Sequence, residues 1–168
     1  MHVTGTELRD AIHRRELRLD ANLQEYADSL YKYDNEDKPS PLSVFEKIDA
    51  EELAIAQLQT VQTRFNLSVT VEVGGKRISL CEAVKSVGGA GRNEKRWRAV
   101  ITKDSQRNAF TDRNTRDPNM QFAKKQVTPE DALRLADYHA QRASTLRNVI
   151  ALGNAQKIDL DFDANLLK

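Results

Sequence analysis

The chain has 168 residues, of which 39% are hydrophobic and 30% are charged, and its formal net charge is only +1. This length and composition are typical of one soluble globular domain and exclude a disordered protein. The single cysteine excludes an intramolecular disulfide and Cys-rich zinc sites, and the lack of a signal core or of about 18 consecutive apolar residues argues against export and membrane insertion. We therefore expect a cytoplasmic protein with no membrane partner.

The first predicted element is a long amphipathic helix from Thr6 to about Tyr33. Within it, apolar residues recur three, four and seven positions apart, whereas charged residues occupy the opposite face. The sequence DNEDKPSP at positions 34–41 contains two prolines and several turn formers, so we expect it to end this helix.

A second helix is predicted to follow at once and to end near residue 65. Ser40 can cap it with Pro41 at the first helical position, and Ser43 with Glu46 offers an alternative capping box. Because the connector is short, the two helices are expected to form an antiparallel hairpin.

A two-stranded β-hairpin is predicted over residues 68–78. The segment SVTVEV alternates in polarity and is rich in β-branched residues, and Gly74 and Gly75 separate it from the next extended segment. Two consecutive glycines favour a tight turn because both can adopt positive φ values.

The region after the hairpin is predicted to contain a short helix, a glycine-rich turn, a longer helix and a loop. The pair Ser79 and Glu82 indicates a capped helix over residues 80–87, which the glycines that follow would end. A third long helix is expected over about 93–107, and a loop over 109–126.

The clearest helix start in the chain is Thr128-Pro129, which two acidic residues follow. It predicts a closing helix over residues 129–153, after which the tail is expected to add a strand or to lie across a neighbouring element. The predicted fold is therefore a single mainly α domain over residues 1–168, a long antiparallel helical bundle with an inserted two-stranded β-hairpin.

The order of these elements resembles a family of small helical bacterial proteins known as septicolysin-like, and the resemblance covers most of the chain. The segments that carry it are ELRDAIHRRELRLDANL, LAIAQLQTVQTRFNLSVTVEVGGKRISLCEAV, SQRNAFTDR and ALRLADYHAQRASTLRNVIALGN. The resemblance implies a helical fold with a closing helix of regularly spaced Leu, Asp and Arg residues. It implies no catalytic residues, because the activity of the family is undetermined.

Positive charge is concentrated in residues 85–125, which contain eleven Lys/Arg against four Asp/Glu. In a nearly neutral chain, this concentration predicts a surface that binds an anion. Arginine suits bidentate phosphate contacts, and an aromatic side chain among arginines can stack on a base. The predicted ligand-binding residues are Arg92, Lys95, Arg96, Trp97, Arg98, Arg107, Arg113 and Arg116.

The glycine-rich segment at 88–91 adjoins this cluster and could present backbone N–H groups to a phosphate, although it is neither a P-loop nor a dinucleotide fingerprint. With the basic residues, it is expected to line a positive pocket at a subunit junction. One chain does not bury all the apolar residues on long amphipathic helices, so we expect a second copy of the chain to cover them in a homo-oligomer. The predicted function is non-enzymatic capture of a phosphate-bearing, nucleotide-like small molecule.

Two alternatives remain open from the sequence. The basic segment could dock on an acidic partner chain in a structural or interaction protein. It could also bind nucleic acid, although a low net charge disfavours non-specific binding through many phosphates.

No catalytic set, metal site or cofactor is predicted. The three histidines are far apart in sequence; His139 is interpreted as a half-buried structural residue and Cys81 as a core residue. The alternating Asp159, Asp161 and Asp163 lack the glycine and glutamate of an EF-hand loop. These observations favour a protein that is not an enzyme.

Overall fold

The computed structural model describes residues 1–111 and 126–168, with the side chains of 103–111 outside the description. Its elements in chain order are β1 His2–Thr4, α1 Gly5–Ser29, α2 Pro41–Ser68, β2 Thr70–Val73, β3 Lys76–Ser79, α3 Leu80–Thr111, α4 Pro129–Ala155, β4 Lys157–Asp159 and a short 3-10 helix at Ala164–Leu167. The mainly α fold with an inserted β-hairpin is confirmed. No helix in the described ranges has the length and apolar character that crossing a membrane requires.

The chain divides into two compact units, which are described separately. The first unit comprises Met1–Thr70, Ser79–Cys81 and Ala151–Lys168, and the second comprises Val71–Ile78 and Glu82–Ile150. The assignment of the whole chain to a single domain remains a prediction.

Helices α1 and α2 form the predicted antiparallel hairpin and hold the core of the first unit. The start of α1 lies beside Phe65, near the end of α2. Conversely, Lys47 near the start of α2 pairs with Glu25 near the end of α1, at 3.2 Å. The core between them is made of large apolar side chains, among them Leu8, Val44, Leu58 and Phe65, all at 0% exposure.

Side-chain and backbone caps define where both helices begin. Thr4 and Glu7 form a complete capping box at the start of α1, which was not predicted from the sequence. Helix α2 starts at Pro41 with Ser40 at the N-cap position, as the first of the two predicted alternatives placed it, but the Ser40 side chain makes no capping hydrogen bond. The Ser40 carbonyl accepts the first helical hydrogen bond, from the Val44 backbone N–H at 3.1 Å.

A short antiparallel ladder joins the two ends of the chain. Strand β1 pairs with β4 so that His2, Val3 and Thr4 lie opposite Asp159, Ile158 and Lys157. One of the two conformations expected for the tail, the strand, is therefore confirmed, whereas its partner β1 was not predicted. Val3 is fully buried, which adds this ladder to the core of the first unit.

The second unit begins with the predicted hairpin. Strands β2 and β3 are joined by Gly74 and Gly75, whose φ values of 58° and 77° are positive. Positive φ is the property of glycine on which the predicted turn depends, so this prediction is confirmed.

The prediction of two helices separated by a glycine turn is wrong, because α3 is continuous from Leu80 to Thr111. The predicted loop also begins later, since residues 109–111 are helical and 112–125 lie outside the described residues. Glycine costs about 1 kcal/mol per helical position relative to alanine, which does not end a helix whose other residues are packed. Ala83 and Ala90, two turns apart on one face, supply that packing.

Helix α4 begins where the sequence predicted. The Thr128 hydroxyl accepts a hydrogen bond from the Asp131 backbone N–H at 3.0 Å, as an N-cap does. Its buried side within the second unit consists mainly of small side chains, namely Ala132, Ala136, Ala143 and Leu146.

Candidate anion-binding surface on helix α3

Three of the predicted basic residues lie within one turn of α3. Arg92, Lys95 and Arg96 are exposed, and within the described side chains none of them forms an ion pair with a carboxylate. Arg96 donates a hydrogen bond from Nη1 to Asn93 Oδ1 at 3.1 Å. The three charges are therefore available to an anion from outside the chain.

Arg98 is already paired within the second unit. Its Nε lies 3.0 Å from Glu94 Oε1 and its Nη2 lies 3.4 Å from Asp137 Oδ1. The hydrogen bond to Glu94, together with the charges of Glu94 and Asp137, raises the pKa of the Arg98 guanidinium above its ordinary value. Arg98 thus links α3 to α4 in this structure.

Trp97 borders a hollow on the surface of α3. The residues that line the hollow are Asn93, Arg96, Trp97 and Val100, and its volume is about 410 Å³. Trp97 is half-buried and is one of the residues that line the hollow. An aromatic face beside a guanidinium can stack on a base and pair with a phosphate at once.

The remaining predicted site residues cannot be placed against this surface. Arg107 belongs to the backbone of α3, but its side chain is outside the description. Arg113 and Arg116 fall within 112–125 and lie outside the described residues.

The predicted phosphate loop at Gly88 to Gly91 is not a loop. These glycines lie inside α3, where their backbone N–H groups serve the helix and are not free to bind phosphate. A Cβ atom added at Gly89 or Gly91 would meet no neighbouring group of the described residues within 4 Å, so close packing against the described part of the chain does not require glycine at these two positions.

A second polar cavity, absent from the sequence prediction, lies between α3 and α4 within the second unit. Its volume is about 220 Å³, and its lining residues are Ser86, Gly89, Ala90, Asn93, His139 and Arg142. We call this cavity the α3–α4 cleft. The signal available in the sequence was the spacing of His139 and Arg142, which places both on one side of a helix.

Of the other histidines and acids in the sequence analysis, His2 and Asp159 lie opposite each other in the β1–β4 ladder, with His2 Nδ1 4.0 Å from Asp159 Oδ1. In the described parts of the chain, no three His, Cys, Asp or Glu side chains are arranged to hold a metal ion. Asp163 accepts a hydrogen bond from the Asn165 backbone N–H at 2.9 Å and so caps the short terminal helix. Cys81 is half-buried and has no disulfide partner.

Comparison with known proteins supports the fold. No family model and no curated protein matches this chain. Among solved structures, a crystal structure of a functionally unknown conserved protein from Corynebacterium diphtheriae is similar, with a TM-score of 0.70 and 16% sequence identity. The similarity covers 95% of this chain and 100% of that chain. At this identity it shows a shared fold alone, and the septicolysin-like resemblance remains a prediction.

Proposed function

We propose that this protein is a non-enzymatic binding protein that captures a phosphate-bearing small molecule on helix α3. The observation that carries the proposal is that Arg96, an exposed cation without a carboxylate partner among the described side chains, lines the hollow that Trp97 borders, while Arg92 and Lys95 lie within about one turn of it on the same helix. A phosphate would pair with the guanidinium groups, and a base or another planar group would stack on the indole.

A small ligand fits this surface better than a long nucleic acid. The cationic residues cover a single turn, and the chain as a whole carries a net charge of only +1. Two or three basic groups suffice for one phosphate group, whereas duplex DNA gains affinity from many neutralised phosphates. Binding to DNA, if it were the function, would weaken steeply as salt is added.

The chain contains a single tryptophan, so its fluorescence reports on this hollow alone. Titration with ATP should quench or shift the emission of Trp97 in a saturable way. The variant Arg92→Ala/Arg96→Ala should bind ATP at least about tenfold more weakly, since charge-assisted hydrogen bonds contribute about 1.5–3 kcal/mol each. Lys85→Ala removes an exposed charge from the same helix outside the hollow and should bind normally.

Native mass spectrometry of the freshly purified protein complements this titration. A retained mass that contains phosphate would identify the ligand directly. If neither an adduct nor a saturable change in Trp97 emission is found, the proposal fails, and docking of the basic segment on an acidic partner chain becomes the better explanation.

Self-association is part of the same proposal, and the outer face of α2 supports it. Helix α2 is apolar on two opposite sides, and the side away from its buried face exposes Leu42, Phe45, Leu53 and Leu67 by 47% to 79%. When a helix has apolar residues on two opposite sides, other parts of the protein or a partner chain usually cover both sides. We expect Leu53→Glu to convert an oligomer to a monomer in sedimentation experiments, whereas Gln24→Glu, at an exposed position of α1, should not. The proposed setting is the cytoplasm.

A further inference from the structure

One residue that lines the α3–α4 cleft, His139, has a buried polar atom without a partner among the described residues. Nδ1 of His139 is inaccessible to solvent, and no described protein group lies within hydrogen-bond distance of it. A buried polar atom left in this state costs about 1–3 kcal/mol, which is why such atoms in folded proteins nearly always have a partner. A ligand cannot reach Nδ1 itself, but His139 lines a cavity of about 220 Å³, and its other ring nitrogen, Nε2, is not buried and has no hydrogen-bond partner among the described residues. A small species bound in the cavity can therefore pair with Nε2.

The orientation of the imidazole is constrained by its neighbour. The ring of Tyr138 lies edge-on to that of His139, with centroids 5.2 Å apart and an interplanar angle of 72°. His139 is itself half-buried on the cleft side of α4. The ring is therefore placed by its surroundings before any ligand binds.

The rest of the lining indicates the charge of the ligand. Arg142, one turn after His139, carries the positive charge of the cleft, and within the described side chains it pairs with no carboxylate. Asn93 uses its Oδ1 to accept from Arg96, which leaves its amide N–H groups to donate. The lining contains no Asp or Glu among the described residues. An imidazole, an amide and a guanidinium together suit an oxyanion, because all three can donate hydrogen bonds to oxygen.

Gly89 supplies the room for such a ligand. It lines the cleft together with His139, and a Cβ at this position would project into open space. Glycine in a helix interior is unfavourable by about 1 kcal/mol relative to alanine. Since packing does not require it here, the space that it leaves is available to a bound group.

We infer that the α3–α4 cleft is a binding site for one small oxyanion, a phosphate or carboxylate group, held by His139, Arg142 and Asn93. This site is distinct from the surface that Trp97 borders, with which it shares only Asn93. It does not depend on the function proposed for that surface.

Nuclear magnetic resonance of the full chain tests the inference with defined probes. Titration with inorganic phosphate, and separately with acetate, should shift the imidazole resonances of His139 and the side-chain amide of Asn93 in a saturable way at millimolar concentration. Tighter binding of phosphate would assign a phosphate ligand, and tighter binding of acetate would assign a carboxylate; either result supports the site.

Matched variants separate a built site from general attraction to positive charge. Arg142→Ala and His139→Leu should each weaken binding by at least about tenfold. Arg147→Ala removes an exposed charge from the same helix outside the cleft and should leave binding unchanged. Because Arg142 is exposed, its replacement should not unfold the protein. Equal weakening by Arg142→Ala and Arg147→Ala, or shifts that never saturate with either probe, would overturn the inference.

Discussion

The two compact units bury different kinds of side chain. The first unit packs Leu8, Leu58 and Phe65 to complete burial, whereas the buried positions of α4 in the second unit are mostly alanines. Each buried methylene contributes about 0.8 kcal/mol, so these large side chains contribute more to apolar burial than the buried alanines of α4 do. In the second unit, histidine, asparagine and arginine side chains line the α3–α4 cleft.

The ion pairs of the two units also differ in how deeply they are buried. In the first unit, Arg15 and Glu51 form an ion pair at 3.1 Å with side chains only 17% and 14% exposed. In the second, Arg98 and its partner Asp137 are 49% and 62% exposed. Exposed pairs contribute about 0–1 kcal/mol, whereas a buried charge that loses its partner is costly. We therefore expect substitutions in the core of the first unit to have the largest effects on stability, and the proposed binding sites lie in the second unit.

The largest effect is expected from Phe65→Ala in the first unit. Phe65 is fully buried between α1 and α2, and loss of a buried phenyl ring typically costs about 3–5 kcal/mol. Urea unfolding should show this loss, while Gln57→Ala on the exposed side of α2 should change the free energy of unfolding by less than about 0.5 kcal/mol. Similar values for the two variants would contradict the assignment of the core to this unit.

Removal of the partner of Arg15 should have the next largest effect. Glu51 accepts from Arg15 Nη1 through both carboxylate oxygens, at 3.2 and 3.1 Å, and Nε of the same arginine is buried without a partner among the described residues. Glu51→Ala leaves a largely buried guanidinium unpaired, so we expect a loss of about 3 kcal/mol. The adjacent Glu52 is exposed, and Glu52→Ala should be nearly neutral in the same unfolding experiment.

Gly5→Ala should destabilise the first unit. A Cβ at this first residue of α1 would clash with Oδ1 of Asn154 and would lie 2.7 Å from Cε1 of Phe65. Overpacking of this kind costs about 1–3 kcal/mol. A melting temperature unchanged from that of the wild type would show that α1 can shift away from α2 at its start.

Thr4→Ala should cost about 1 kcal/mol at neutral pH through loss of the cap. The carboxylate of Glu7 accepts hydrogen bonds from both the backbone N–H and the hydroxyl of Thr4. These bonds, the backbone one most of all, hold the pKa of Glu7 below its ordinary value of 4.5. A lowered pKa means that the ionised carboxylate stabilises the fold above about pH 4.5, and that this contribution is lost as the pH falls through the folded-state pKa. The stability difference between Thr4→Ala and wild type should therefore shrink on acidification, and carbon NMR should show a higher pKa for Glu7 in the variant.

The smallest effect, and one of opposite sign, is expected from Gly91→Ala in the second unit. Apart from the backbone of α3 itself, no group in the described ranges lies within 4 Å of the added Cβ, and alanine favours the helix by about 0.5–1 kcal/mol. The variant should melt at a higher temperature than the wild type. If Gly91→Ala were destabilising like Gly5→Ala, the contrast between a tightly packed and an open unit would be lost.

Local chemistry in the sequence predicted most of the elements. Gly74 and Gly75 take the positive φ values that a tight turn requires, and Thr128 caps α4 as expected. Both signals are contained in neighbouring residues, so no distant part of the chain is needed to interpret them. The same local reasoning failed at the glycines of α3, where packing along the helix outweighed the weak intrinsic tendency of glycine to disfavour helix.

The candidate site was predictable only in part for the same reason. Arg92, Lys95 and Arg96 are expected from their spacing to form a charged face within one turn of a helix, and they do. That Arg98 is instead paired with Asp137 depends on how α3 meets α4, which no spacing in the sequence indicates.

The sequence by itself determined where helices and turns begin, because caps, prolines and paired glycines act through bonds to their immediate neighbours. Only the tertiary structure decided that β1 pairs with β4 at the far end of the chain, and that His139 and Arg142 line a cleft together with Asn93. These arrangements depend on contacts between residues that are distant in the chain, and the free energy of such contacts comes from packing and desolvation that no local pattern records.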